Sequence, residues 1–210
     1  MDSTPEKRES GPEESGQAIP PLGVAGALRT VRAQAIGAMQ ANHARALLLE
    51  AHGKGGITDE QMREFLECLG RLPEESWKDV NFFKGKGRGR AKAFYVPRLK
   101  SLPLFPDMTK EDFMHEMNHH LWYEKMSVSQ RQTVTDFHNG LTREEIQSTQ
   151  YRVHPYSYDQ AHEWLAQTFT TWFHGLPASQ RLRLPKFALI VSLFKSLLHE
   201  EKVNFQAGES

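Results

Sequence analysis

The chain has 210 residues, enough for one domain of ordinary size with a tail, and 39% of them are hydrophobic, enough for a real core. Lys+Arg and Asp+Glu stand at 26 each, so no net charge pulls the chain toward nucleic acid or an anionic membrane. The single cysteine, Cys68, excludes an internal disulfide, and the longest mostly apolar run, Phe187–Phe194, is far short of the ~20 residues that span a bilayer.

Residues 1–19 are rich in Ser, Pro, Gly and Glu and lack any aromatic, which predicts a disordered tail. Residues 20–210 are read as one domain: a helical part over 20–90 and a part carrying the chemistry over 91–205. A helical pattern runs from Val24 to His52, with Gly53 as a stop. Thr58 with Gln61 forms a capping box for a helix ending near Gly70. Cys68 lies in that helix beside Phe65, Leu66 and Leu69 and reads as a small core residue. Pro73 to Val80 is expected to make one or two further turns.

Lys84 to Lys92 alternates Lys/Arg with Gly and reads as a flexible basic loop. Ala93–Val96 reads as a short strand ended by Pro97, and residues 97–108, with three prolines, read as irregular. Thr109 with Asp112 opens a helix reaching about Lys125. Ser127 or Ser129 caps a helix to about His138, stopped by Gly140. Thr142 with Glu145 precedes a short helix, and Ser157 with Gln160 is read as a further box before a helix to about His174 and Gly175. The last helix is expected from about Pro185 to Lys202. The expected fold is mainly α, with a short edge strand or small sheet beside the helix that carries the site.

That helix holds His115-Glu116-Met117-Asn118-His119, the H-E-x-x-H pattern. Residues i and i+4 share a helix face, so both imidazoles can reach one metal ion, with Glu116 beside them. Phe113, Met114, Met117 and Leu121 cluster on one side of the helix, while His115, His119 and Trp122 fall on the other. A zinc site also needs a third protein ligand. The metzincin extension is excluded, because Trp122 and Lys125 stand where its glycine and histidine would. Glu163 is the best candidate, from a helix in which Ala161, Leu165, Phe169 and Trp172 form an apolar stripe opposite Glu163, Gln167 and Thr170. His120, His138, His154 and His162 are its rivals.

His115-Glu-Met-Asn-His119, then Tyr156, then Glu163-Trp-Leu-Ala-Gln-Thr-Phe169, resembles the gluzincin domain of the anthrax lethal factor and Pro-Pro endopeptidase families over about residues 93–200. Asn118 stands where those families carry a small residue, and Gln167 where they carry a glutamate. The resemblance implies a zincin-like fold, Zn2+ held by His115, His119 and Glu163, and hydrolysis of peptide bonds. It gives Glu116 the role of general base and Tyr156, seven residues before Glu163, that of hydrogen-bond donor to the oxyanion, with Tyr158 as the alternative. The strand over 93–96 would pair with an extended substrate.

From Lys84 to Lys100 there are seven Lys/Arg and no acid, with Phe94 and Tyr95 alongside. A solvated loop is the simplest reading. Nucleic-acid binding with base stacking is a second, and a loop that borders the cleft and selects an acidic protein or peptide substrate a third. A zincin fold kept for binding alone is a further alternative, although the presence of Glu116 does not require it. The polar N-terminus has no secretory h-region, so the expected place is the cytoplasm, or export without a cleavable signal, as for a protein delivered into a host cell. Oligomeric state is left open.

Overall fold

The computed structural model describes residues 24–86 and 94–198; the predicted tail lies outside them. The chain divides into a unit over Met1–Ala35 and a compact unit over Ile36–Ser210. The second unit is mainly helical, with one two-stranded sheet, as the patterning led us to expect. No helix among the described residues is long and apolar enough to cross a membrane.

Helix α1 spans Val24–Gly53, ending at the glycine expected to stop it. Helix α2, Asp59–Arg71, is opened by the Thr58/Gln61 box: the Gln61 N–H donates to Thr58 Oγ1 at 3.2 Å and the Thr58 N–H to Gln61 Oε1 at 2.7 Å. Cys68 is buried in it, and burial pushes its thiol up to about 12, as suits an inert core residue. Helix α3, Lys110–His120, starts on the Thr109/Asp112 box. It widens into one π turn over Leu121–Lys125, and the carbonyls of Trp122 within it and Met126 just after it accept hydrogen bonds from Arg131 Nη1 at 3.1 and 2.9 Å. Boxes at Ser127/Gln130 and Thr142/Glu145 open α4, Val128–Asn139, and α5, Arg143–Ser148. Helices α6, Ala161–Phe173, and α7, Ala188–Leu197, complete the unit.

Three expectations are corrected. Ser157 caps nothing: Pro155 fixes the chain in a 3-10 turn over Pro155–Tyr158, and α6 begins at Ala161 after an extended Gln160 with no side-chain cap. Phe94–Val96 is not a strand; Val96 makes only an isolated antiparallel bridge to Ser101, and Ala93 lies outside the described residues. The strands lie instead at β1, Asn81–Lys84, and β2, Ser101–Leu104, which pair in parallel with Phe82 opposite Leu102. Lys84 therefore belongs to a strand rather than to the basic loop, most of which (residues 87–92) is outside the described residues. Pro103 is tolerated because β2 needs no ladder donor on the side away from β1.

The core wraps α3. Phe113 is fully buried, stacked on Phe65 of α2 at 4.3 Å between ring centroids and on Phe82 of β1 at 5.9 Å. A second cluster joins Phe169, Trp172 and Phe173 of α6 to Phe194 of α7. Phe113 thus ties three elements together, and Phe113→Ala should lower unfolding free energy by about 3–5 kcal/mol in a urea titration. A loss below about 1 kcal/mol would mean that the stack does not hold α2 and β1 to α3.

Candidate metal centre and catalytic cleft

Helix α3 has no solvent face near the site: residues 116–122 are all buried, including Asn118 and His120. One side meets the aromatic core and the other meets α6, with which α3 makes its most extensive packing. His115 and Glu163 stay part-exposed, opening on a cleft that Glu116 and His119 also line. Helix α6 is equally enclosed from Trp164 to Thr171.

Between them three ligand-type groups converge. His119 Nε2 lies 3.1 Å from His115 Nε2, His115 Nε2 lies 3.4 Å from Glu163 Oε2, and His119 Nε2 lies 3.5 Å from Glu163 Oε1. Three atoms bound to one zinc ion at ~2.0–2.1 Å in tetrahedral geometry would stand ~3.3–3.4 Å apart. The two imidazole nitrogens are 3.1 Å apart and each meets a different oxygen of the Glu163 carboxylate at 3.4–3.5 Å, so the donor set suits zinc in chemistry and lies close to the spacing it needs. These residues form the only such cluster among the described residues.

Protonation follows from the surroundings. Burial, aided by the neighbouring His115, pushes His119 down to about 3, so its imidazole stays neutral with lone pairs available. Burial alone would raise Glu163, but its contacts with His115, His119 and His162 hold the carboxyl below the usual range. Its place in the first turn of α6 acts in the same direction, because the helix amide dipoles favour an anion there. Neither His115 Nδ1 nor His119 Nδ1 has a hydrogen-bond partner, so the ring orientations come from packing rather than from the carboxylate or carbonyl acceptors usual behind zinc ligands.

Glu116 is 6% exposed and lines the cleft. Its Oε2 accepts a hydrogen bond from the Tyr95 backbone N–H at 2.7 Å. Burial, opposed by the charge of His115 and by that N–H, pushes its carboxyl up to about 7. The cleft has a volume of about 900 Å3. One rim carries Phe94 and Pro97, and the turn at Phe105–Met108 forms part of the wall. That turn is anchored by Gln61, whose Nε2 donates to the carbonyls of Phe105, Pro106 and Met108 at 3.2, 3.0 and 2.7 Å.

The opposite rim is the segment 151–156, tied down by buried hydrogen bonds. The Tyr151 N–H donates to Thr171 Oγ1 at 2.9 Å, and His138 Nε2 donates to the Ser157 carbonyl at 2.9 Å. Tyr156 sits on this rim, 59% exposed, with its ring 5.2 Å from that of His154. Tyr158 turns instead into the core, under the Arg143 guanidinium at 5.2 Å, and does not line the cleft.

Of the rival ligands, His120 and His138 are engaged elsewhere, while His162 adjoins Glu163. His138 is held by Ser157, and His120 faces Tyr95 and Asp79. His162 lines the cleft with Nε2 3.7 Å from Glu163 Oε1, and His154 lines it beside Tyr156. The expected substrate strand at 93–96 is not offered as such, since the Tyr95 N–H is held by Glu116 and Val96 is paired with Ser101. Of the basic residues, Lys100 is engaged by Asp79 and Glu124 at 2.8 and 2.9 Å.

Two groups near the site carry no role in the sequence pattern. Tyr123 lines the cleft one turn beyond His119, where the i+4 spacing was a usable signal. Tyr95 holds Glu116 through its backbone, for which no side-chain pattern exists. Compared with known proteins, the chain matches no protein-family model, no curated protein and no solved structure.

Proposed function

We propose that this chain is a zinc-dependent endopeptidase of the gluzincin type, with His115, His119 and Glu163 as the metal ligands and Glu116 as the general base. The observation that carries the reading is the convergence of the two imidazole Nε2 atoms, 3.1 Å apart, on the two oxygens of the Glu163 carboxylate at 3.4 and 3.5 Å, directly beside a buried carboxyl. Bound there, zinc would supply Lewis acidity, acidifying the attacking water and polarising the scissile carbonyl.

The chain's own residues supply the rest. Glu116, with one oxygen fixed by Tyr95, takes up the proton of the attacking water and returns it to the leaving amine. Tyr156, on the cleft rim, is the hydrogen-bond donor assigned to the oxygen on which negative charge develops. The cleft is large enough for several side chains of a protein or peptide substrate, and its walls combine aromatic rings with histidines and carboxylates.

Zinc content and peptide cleavage test this together. The purified full chain should hold one zinc, and digestion of a peptide library should stop with a strong chelator and return on adding zinc. Cleavage indifferent to chelation, or failure to take up zinc at all, would overturn the proposal.

A further inference from the structure

The run His115-Glu116-Met117-Asn118-His119-His120 contains two i,i+4 pairs on adjacent faces of α3. His115 and His119 face Glu163. Glu116 and His120 both face one residue, Tyr95, which touches them at its two ends. Its backbone N–H donates to Glu116 Oε2 at 2.7 Å, and its hydroxyl lies 2.8 Å from His120 Nδ1. His120 is 0% exposed and Tyr95 7% exposed, so both contacts are dry.

The polarity of this chain of contacts is consistent along its length. With the tyrosine hydroxyl donating to Nδ1, the proton of His120 sits on Nε2, which faces Asp79 Oδ1 at 3.3 Å as a charge contact without hydrogen-bond alignment. Asp79 is an anchored anion: Lys125 Nζ donates to Oδ1 at 2.7 Å and Lys100 Nζ to Oδ2 at 2.8 Å. Burial would raise the Asp79 carboxyl, but His120, Lys100 and Lys125 hold it well below the usual range. Two unusual backbone features bring in those lysines. Lys125 ends the π turn that follows α3, and Lys100 is the one non-glycine described residue with positive φ, at 47°. Such conformations persist only where surrounding contacts over-determine them.

Tyr95 itself lies in no helix or strand, so no ladder fixes its N–H. We infer that Asp79, His120 and the Tyr95 hydroxyl form a buried strut that holds the Tyr95 amide against Glu116 and thereby orients the base. These are positioning residues; none touches the metal ligands' donor atoms. The inference rests on Glu116 being the base, whereas the strut itself can be tested without that.

The test uses the full chain with Tyr95→Phe, Asp79→Asn and the double variant. Amide hydrogen exchange resolved at residue 95 should accelerate about tenfold or more in each, in metal-free protein, while amides inside α3 such as that of Met117 keep their protection. In zinc-loaded protein kcat should fall by about tenfold, within the ~10–100-fold range of lost supporting contacts, with KM within about twofold and one zinc retained. The double variant should be no worse than the worse single one, because both break one chain of contacts. Wild-type exchange at residue 95 in both single variants would overturn the strut, as would additive losses. Should the wild-type protein bind zinc yet cleave nothing, the peptidase reading falls and the exchange arm still decides the strut.

Discussion

Glu116→Gln should abolish turnover while leaving zinc in place. General acid–base catalysis contributes ~10²–10⁴-fold, so kcat should drop by that factor, about 3–5 kcal/mol of barrier. The amide has nearly the same shape and can still accept from the Tyr95 N–H, but it cannot take up a proton. Metal content should stay at one per chain because Glu116 is not among the three converging ligands. The same variant has a second, non-catalytic signature. In the folded protein the Glu116 carboxyl is pushed up from 4.5 to about 7 by burial. The native state therefore binds more protons than the unfolded state between those values, and this group's contribution to stability falls as pH rises through that window. Glutamine removes the effect. Across pH 4.5 to 7 the metal-free variant should gain stability relative to wild type, by on the order of 3 kcal/mol, in paired urea titrations. Equal turnover in the two proteins would remove Glu116 as base; a pH-independent stability difference would remove the burial argument.

What could be read from the sequence divides by distance along the chain. The boxes at Thr58, Thr109 and Thr142 are contacts between residues three apart, and each forms as expected. The Ser157/Gln160 pair has the same letters, yet Pro155 two residues earlier commits the segment to a 3-10 turn. The strands were hidden for a related reason. β1 is four residues with only Phe82 buried, and β2 carries Pro103, so neither shows the alternation of a half-buried strand. The ligand-type residues were legible because helix periodicity puts His115 over His119 and Glu163 opposite the stripe of α6. The support of the base was not. Tyr95 is 21 residues from Glu116 and acts through its backbone, while Asp79 is joined to His120 only once β1, the turn before β2 and α3 have packed. His120 reads as a rival ligand from its spacing, which does not show which partner a buried imidazole meets. The enclosure of Asn118 is equally hidden: the wheel has a histidine side, but only the packing of α6 shows that this side is covered.

Glu163→Ala should cost zinc first and activity in consequence. Glu163 is the only group bringing charge to the cluster and the only one from outside α3; it spans both imidazoles, one through each carboxylate oxygen. Without it two neutral nitrogens 3.1 Å apart remain, fewer than the three protein ligands of a catalytic zinc site. Affinity should fall by more than the ~10–100-fold that follows loss of a mere supporting contact. The measurement is zinc retained per chain during dialysis against a competing chelator of known strength. Excess zinc should restore part of the activity of Glu163→Ala and none of that of Glu116→Gln, which separates loss of the ion from loss of the base. Unchanged zinc affinity would take Glu163 out of the ligand set. His162, 3.7 Å from Glu163 Oε1 and with its ring 5.4 Å from that of His119, would then be the next candidate, and His162→Ala the variant that decides it. With Glu163 as ligand, His162→Ala should leave zinc stoichiometry unchanged, because its ring packs against Trp122 and Tyr123 on the cleft wall and is not one of the three converging ligand groups.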